Sequence, residues 1–312
     1  MDLNKLKRYP LTERRNLVDL SRFGTVEPPG EGVAAFWDNL PDLLGASSLK
    51  ELARGIASAH GRGAPCWTAF GGHVVKVGVG PHLIDLMERG LVTGIATHGA
   101  GAIHDVEIAL IGATSEDVGE SLQDGSFGMA RETTDFFNET VRRCHRDGVG
   151  LGRALGEALL EANAPHADRS LLACAARLGK PATVHVALGT DIVHMGAEVD
   201  GAAWGAATME DFRVLTRGVA ELEGGIWLNL GSAVLLPEVF LKALTIARNL
   251  QDGAPHAFTT ANLDMIQHYR GRVNVIGRPS GHGIAIVGQH EILVPLLHQG
   301  ILIEQSRLGE AS

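Results

Sequence analysis

From residue 63 onward, short apolar runs alternate with longer segments of helical periodicity. Runs of about five apolar residues are typical of strands buried on both faces, and the segments between them are long enough to connect parallel strands. This βαβ alternation predicts an α/β fold, a Rossmann-like doubly wound parallel sheet flanked by helices. The predicted strands are Cys66–Phe70, Val92–Ala96, Thr183–Leu188, Ile226–Leu230, His256–Thr260 and Gly283–Val287.

Residues 1–62 have a different pattern. A polar arm and the loop TVEPPGEG precede two short amphipathic segments, around Val33–Leu44 and Ser47–His60. We therefore predict a helical N-terminal extension over residues 1–62, and a single α/β domain over residues 63–312 because no break in composition divides them.

Charge and composition exclude several classes of protein. The 27 Lys and Arg residues stand against 36 Asp and Glu, which gives a net charge of −9. Nucleic acids bind to clustered cations, so no nucleic-acid partner is expected, whereas a small cationic ligand would be tolerated. The three cysteines are far apart, and neither a signal peptide nor a run of 18 apolar residues occurs. We expect a soluble, cytoplasmic protein with no membrane partner.

Glycine makes up 40 of the 312 residues, and many of these glycines follow the predicted strands. In an open parallel sheet, ligands bind outside the carboxyl ends of the strands, where glycine lets backbone N–H groups approach a phosphate. This pattern predicts a nucleotide or dinucleotide site, although no G-x-G-x-x-G fingerprint stands in the expected place. The four turns concerned are Gly71–His73, Thr97–Gly101, Gly189–His194 and Gly231–Ala233.

Histidines and carboxylates lie near the same strand ends. His104 and His194 stand close to Asp105 and Asp191, a combination typical of general acid–base chemistry. Converging His and Asp side chains also bind zinc or iron, but the H-E-x-x-H spacing is missing and no cysteine joins the group. We predict no metal site, and a metal-dependent hydrolase stays open as an alternative.

From Gly63 to Glu304 the ordered motifs resemble the deoxyhypusine synthase family. The passage from CWTAFGGH to ATHGAGAIHDVE is similar to the family's first two strands, with its T-T-A-G-G turn and the following helix. PATVHVALGTDIVHMG, IWLNLGSAV, AFTTANLD and HEILVPLL are similar to its later segments, in the same order. The resemblance implies a Rossmann-like NAD-binding domain and a homotetramer with NAD at a subunit interface.

The resemblance also implies site residues. Matching the motifs position by position places NAD on residues that follow the strands, and a small amine beside it. The implied cofactor-binding residues are Gly71, Gly72, His73, Thr97, Gly99, Gly101, Asp191, Gly231, Ser232, Thr260, Ala261 and Asp264. The catalytic residues that we predict beside them, from the chemistry of their side chains, are His104, Asp105, Glu107, His194 and Arg278. Asp105, Glu107 or Asp191 would hold the amine, and His104 or His194 would take the proton.

The chain departs from the family at the amine site. The family's imine-forming lysine is matched by Arg278, which stays protonated and cannot form an imine, and no lysine follows Lys242. Deoxyhypusine formation is therefore not expected, and Arg278 would instead bind a substrate carboxylate. The stretch AGAIHDVEIALIG is similar to one in archaeal-type ornithine cyclodeaminases, which share the fold.

Together these observations predict an NAD-dependent enzyme that acts on a small amine or amino acid. It would oxidise the substrate transiently to an imine, and then deaminate it or transfer an aminoalkyl group, in polyamine or amino-acid metabolism. A nucleotide-binding or regulatory protein that has lost catalysis is the main alternative.

Overall fold

The computed structural model describes residues 32–279 and 281–310, so the predicted polar arm and loop of residues 1–31 lie outside them. The described residues form two compact units, divided between Ser47 and Ser48. The first unit contains helix α1 (Val33–Asn39), and helix α2 spans Leu44–Gly61. The boundary of the extension at residues 62 and 63 stays a prediction.

The second unit is built on one six-stranded parallel sheet. Its strands are β1 (Cys66–Phe70), β2 (Gly94–His98), β3 (Ala182–His185), β4 (Ile226–Leu230), β5 (Thr259–Asp264) and β6 (His282–Val287). Their order in the sheet is β3-β2-β1-β4-β5-β6, so the chain moves outward from β1 to β3 and then returns to β4 on the other side of β1. This is the predicted doubly wound fold, and its topological switch point lies between β1 and β4.

Helices connect the strands and cover the sheet. They are α3 (Gly72–Lys76), α4 (Gly80–Glu88), α5 (Gly99–Ile111), α6 (Val118–Ser121), α7 (Arg131–Asp147), α8 (Leu151–Glu161), α9 (Leu171–Arg177), α10 (Gly201–Ala220), α11 (Leu235–Leu250) and α12 (His290–Glu310). Two 3₁₀ turns, Ala167–Arg169 and Ile192–His194, and a π-helix, Gly271–Gly277, complete the connections.

A cluster of buried hydrophobic side chains forms where α10 and α11 pack on the sheet. Trp67 of β1 is enclosed by two glycines, because a Cβ at Gly94 or Gly218 would lie 2.7 or 2.2 Å from its indole ring. The ring of Trp227 stacks on that of Phe240 at a centroid distance of 4.1 Å. Because Gly94 on β2 and Gly218 on α10 have no side chain, the helix layer packs in direct contact with the sheet.

Strand β5 differs from its predicted position. It spans Thr259–Asp264, whereas the sequence predicted a strand over His256–Thr260. Asn262 is buried in the strand, and its side-chain oxygen accepts a 2.6 Å hydrogen bond from Nδ2 of Asn229 on β4. A polar side chain that is satisfied in this way can occupy an interior strand.

Among the residues that the structure describes, no helix is both long and apolar enough to cross a membrane.

Candidate functional site

The carboxyl ends of β1 and β4 meet at the switch point through main-chain atoms. Gly71 donates its N–H to the carbonyl of Leu230 at 2.9 Å, and a Cβ at Gly71 would stand 2.5 Å from the carbonyl oxygen of Gly231. Gly231 itself has φ +62° and packs against the ring of His290. The crevice of the sheet thus has a floor of closely packed backbone, which only glycine allows at these two positions.

Helix α5 begins directly above this floor. His98 precedes its first turn without giving it a side-chain hydrogen bond, so its first N–H groups have no side-chain cap among the described residues. The hydroxyl of Thr97 points inward instead and donates to the carbonyl of Phe70 at 2.9 Å. A helix N-terminus with open N–H groups carries a partial positive charge and suits a phosphate group.

Asp191, from the segment after β3, lies beside the same helix end. A Cβ at Gly99 would stand 1.9 Å from its Oδ2, so the carboxylate packs directly on the glycine. Burial raises the pKa of Asp191 to about 6. An acceptor at this position suits sugar hydroxyls or an amine.

A cavity of about 740 Å³ opens on the side of α5 that faces Asp191. Ile103, Leu110 and Phe127 contribute apolar walls, which suit an aliphatic chain. Its polar lining is Lys76, His104, Glu107, Thr114, Ser115, Glu116, Glu132, Thr133, Thr190 and Asp191. The cavity therefore combines four carboxylates, one lysine and one histidine with an apolar surface.

His104 is held inside this cavity by a chain of hydrogen bonds. Its Nδ1 lies 2.7 Å from Oγ1 of Thr114, which donates to Oε2 of Glu107 at 2.5 Å. The hydroxyl of Thr133 donates to the other oxygen of Glu107 at 3.2 Å. Burial, together with the nearby ammonium group of Lys76, lowers the pKa of His104 to about 4, so the ring is neutral at pH 7.

Asp105 is the next residue along α5 but has a different environment. It is 1% exposed, and its carboxylate accepts hydrogen bonds from the hydroxyl of Ser170 and from the backbone N–H groups of Leu171 and Leu172, at 2.5, 2.7 and 3.1 Å. Burial raises its pKa to about 6. Asp105 caps helix α9 and does not line the cavity, so its position does not support the predicted catalytic role.

His194 takes part in a capping box with Asp191 at the 3₁₀ turn Ile192–His194. Its Nδ1 accepts the backbone N–H groups of Gly189 and Asp191, both at 3.3 Å. The hydrogen of the neutral ring is therefore on Nε2, which is buried, and the ring contacts Trp204 edge-on at 4.6 Å. The lone pair of this ring is already used, which argues against its predicted role as a proton acceptor.

Arg278 lies at the other edge of the sheet. It follows the π-helix Gly271–Gly277 and precedes β6, so it stands near the amino end of that strand. Its guanidinium donates to Oδ1 of Asn274 at 2.9 Å. Because β5 and β6 run parallel, the segment between them returns to the amino edge, and Arg278 is not placed to bind a substrate at the carboxyl edge.

Four further predicted cofactor residues lie on β5 or directly after β4. Thr260 and Ala261 are the second and third residues of β5 and are buried inside the sheet, far from its carboxyl end, so their position does not support the predicted contact with NAD. Asp264 is the last residue of β5, at the carboxyl edge. Ser232 follows β4, and its hydroxyl accepts the N–H of Leu236 in the first turn of α11 at 3.3 Å.

The turn after β1 lies close to His104 and to the first turn of α5. A Cβ at Gly72 would stand 3.1 Å from Cδ2 of His104 and 3.4 Å from the backbone of Ala100. His73, beside it, contacts the ring of His290 at a centroid distance of 5.7 Å. The structure therefore brings Gly71, Gly72, Gly99, Asp191 and Gly231 together with His104 and Glu107.

Several residues of the cavity were not singled out from the sequence, and three of them surround His104 and Glu107. Lys76, Thr114 and Thr133 come from α3, from the loop after α5 and from α7, and nothing in their local sequence marks them. The spacing of His104 and Glu107, three residues apart on one helix, was a usable signal, because such residues share a face.

Histidines also pair at the ends of β2 and β3. His98 and His185 are partners in the sheet, and burial lowers the pKa of His185 to about 3. Within residues 32–279 and 281–310, no group of three His, Cys, Asp or Glu side chains has a geometry that could hold a metal ion.

Comparisons with known proteins identify the fold. No protein-family model and no curated protein matches the chain. Among solved structures, a protein from Entamoeba histolytica described as a deoxyhypusine synthase matches with a TM-score of 0.54 at 11% identity, over 89% of this chain and 96% of that one. The arginine dihydrolase ArgZ from cyanobacteria matches with a TM-score of 0.52 at 14% identity, over 81% of this chain and 31% of that one.

The ternary complex of AgrE with ornithine and NAD⁺ is a third match, with a TM-score of 0.53 at 14% identity over 85% of this chain and 34% of that one. The chain thus spans about a third of the length of ArgZ and of AgrE. At these identities the likeness establishes the fold, and it confirms the predicted α/β class with a deoxyhypusine synthase-like sheet.

Proposed function

We propose that this protein is an NAD-dependent enzyme that acts on a small amine or amino acid. The observation that carries the proposal is the position of the cavity around His104, which opens beside the uncapped N-terminus of α5. This helix follows β2, the strand next to β1 at the switch point of the sheet. Dinucleotides bind at this place in doubly wound sheets, and a cavity beside it would hold the substrate.

The residues present fit NAD. The open N–H groups at the start of α5 suit its diphosphate, and the glycine floor formed by Gly71 and Gly231 keeps side chains out of the crevice. Asp191 and Asp264 provide acceptors for ribose hydroxyls. Bound NAD would supply a reversible hydride acceptor, able to convert a carbon that bears an amine into an imine.

The lining of the cavity suits a cationic substrate. Glu107, Glu116, Glu132 and Asp191 offer negative charge for an ammonium group, and the apolar walls accommodate a short aliphatic chain. Lys76 is the one cation among the described residues that line the cavity. It would bind a carboxylate, which favours an amino acid over a diamine. His104 would accept the proton that leaves the amine.

The neighbours in structure support this assignment by analogy. AgrE was solved with ornithine and NAD⁺, and ArgZ is an arginine dihydrolase. Deamination or aminoalkyl transfer would follow oxidation of the substrate. The homotetramer and the membership in the deoxyhypusine synthase family belong to the same proposal and rest on the resemblance in sequence. The proposed cytoplasmic location rests on the composition of the chain.

Mass spectrometry tests the proposal most directly. The gently purified protein is weighed under native and then denaturing conditions, and any released nucleotide is identified. Thermal unfolding is followed with and without added NAD, and ornithine, putrescine and spermidine are screened at the absorbance band of reduced nicotinamide. We expect co-purified NAD or stabilisation by NAD, and a change in absorbance with one amine substrate.

Other outcomes would separate the alternatives. Tight NAD binding with no hydride transfer to any amine would favour the non-catalytic nucleotide-binding protein. Neither bound NAD nor stabilisation by it would contradict the proposed site. Stoichiometric zinc or iron in the purified protein would favour the metal-dependent hydrolase.

A further inference from the structure

The hydrogen bonds around His104 determine which ring nitrogen carries the hydrogen. Thr114 has one hydroxyl hydrogen, and it is donated to Oε2 of Glu107 at 2.5 Å. A carboxylate can only accept, so this direction is fixed while Glu107 is ionised. Oγ1 of Thr114 is then left with lone pairs alone, and the 2.7 Å contact with Nδ1 of His104 requires that Nδ1 donates.

The second carboxylate oxygen of Glu107 also accepts a hydrogen bond, which supports the assignment of Thr114 as the donor to Glu107. Thr133 on α7 donates its hydroxyl to Oε1, so both carboxylate oxygens accept a threonine hydroxyl. Thr133 is buried and Glu107 is partly buried, which shields these bonds from water. Glu107 is thereby locked as an acceptor by two elements of the fold, the loop after α5 and helix α7.

The ring of His104 has its second nitrogen on the opposite side. Its Cδ2, which adjoins Nε2 in the ring, faces the turn after β1, at 3.1 Å from the position of a Cβ at Gly72. Among the described residues Nε2 has no hydrogen-bond partner, and the ring lines the cavity. Burial and the ammonium group of Lys76 hold its pKa near 4, so the ring stays neutral and one nitrogen keeps a free lone pair.

We propose that Thr114, oriented by Glu107, is a positioning residue that fixes His104 with its hydrogen on Nδ1 and leaves Nε2 bare, on the side of the ring away from Thr114. His104 is then ready to accept a proton on Nε2 from a substrate held in the cavity. Glu107 acts through Thr114 and not on the substrate. The role in proton transfer rests on the proposed function, whereas the tautomer does not.

Nitrogen NMR of the intact, ¹⁵N-histidine-labelled protein tests the tautomer without any substrate. Protonated and unprotonated ring nitrogens give separate ¹⁵N signals, and the His104→Gln variant assigns those of His104 among the 14 histidines. We expect the hydrogen on Nδ1 in the native protein between pH 6 and pH 8. Thr114→Val keeps the shape and removes the hydroxyl, and it should shift the population toward the form with hydrogen on Nε2.

Two variants serve as controls. Thr114→Ser keeps a hydroxyl and should restore the native spectrum. Thr133→Val removes the other hydroxyl on Glu107 without touching His104, and it should leave the tautomer unchanged. A native spectrum with the hydrogen on Nε2, or a Thr114→Val spectrum identical to the native one, would overturn the proposal.

A kinetic measurement separates this inference from the proposed function. With the amine substrate that the screen identifies, Thr114→Val should lower kcat about 10-fold to 100-fold and leave KM within a factor of two. An equal rise in KM with kcat unchanged would contradict the positioning role. If NAD does not bind, the proposed function fails while the NMR result still decides the tautomer.

Discussion

The carboxylate of Asp191 packs on the backbone of Gly99, so closely that a Cβ at position 99 would stand 1.9 Å from Oδ2. One partner comes from the segment after β3 and the other is the first residue of α5. The contact joins the third strand to the helix end that we propose as the diphosphate site. A substitution at either position therefore affects both the start of α5 and the segment after β3.

Replacing Gly99 should weaken NAD binding more than stability. Gly99→Ala displaces the Asp191 carboxylate and places a methyl group at the open helix end, and we expect the Kd for NAD to rise at least about 10-fold. Isothermal titration calorimetry measures this change. The double variant Gly99→Ala, Asp191→Ala removes the clash, so its thermal unfolding midpoint should exceed that of Gly99→Ala alone. An unchanged Kd in Gly99→Ala would contradict the assignment.

Asp105 should matter for folding. Asp105→Ala leaves the N–H groups of Leu171 and Leu172 and the hydroxyl of Ser170 without their buried acceptor, which costs about 3 kcal/mol of unfolding free energy. Urea unfolding measures this loss. The matched control is Asp168→Ala, an exposed residue paired with Arg169, for which a change below about 0.5 kcal/mol is expected. The affinity of the folded Asp105→Ala protein for NAD should equal that of the native protein. Loss of NAD binding by the fully folded variant would show that Asp105 acts in the site.

Asp211 should make stability fall as pH rises. This residue of α10 is fully buried, and its Oδ2 accepts the N–H groups of Gly152 and Val184 at 2.9 and 2.8 Å, yet burial raises its pKa to about 8. The folded protein thus binds a proton that the unfolded chain releases near pH 4, and the associated stability is lost between about pH 4 and pH 8.

The variant Asp211→Asn removes this titration. Between pH 6 and pH 8 the native protein should lose about 2 kcal/mol relative to the variant, measured from urea unfolding at each pH. Asp105 and Asp191 titrate in both proteins, so they cancel in the difference. A difference that stays constant over this range would show that Asp211 is ionised throughout.

Replacing two helical glycines with alanine should change the stability of the protein in opposite directions. A Cβ at Gly152 on α8 would stand 2.3 Å from the carbonyl oxygen of Ala182 on β3, a backbone atom that cannot move alone. Gly152→Ala should therefore cost at least about 2 kcal/mol. Gly205 on α10 has no atom within 4 Å of its Cβ position, and Gly205→Ala should stabilise the protein by up to about 1 kcal/mol. Thermal unfolding of the two variants checks the contrast.

The sheet could be predicted from the sequence where strands are uniformly apolar. β1 and β4 have the predicted bounds because every residue in them is buried. β5 could not be placed in the same way, because the Asn262 that it buries is satisfied by Asn229 from a different strand, a contact that local sequence does not encode.

The site could be predicted only as far as the ends of the strands. His104 and Asp105 are adjacent in sequence, but successive residues on a helix point about 100° apart, so one side chain enters the cavity and the other enters the core. The sequence did not indicate that Arg278 lies at the opposite edge, to which the crossing from β5 to β6 returns the chain. Thr114 and Lys76 required the fold itself, since loops and a short helix bring them to His104.

The contact between Gly71 and Gly231 limits how such a site can be redesigned. The floor of the crevice is main chain packed on main chain, so no exchange of side chains can widen or reshape it without moving two strands. The wall formed by α5, its following loop and α7 carries only side chains that can be exchanged one at a time. An engineer who seeks a new substrate should diversify the apolar positions of that wall, such as Ile103 and Leu110. The residues around His104 that hold it in place, and the floor, should be kept.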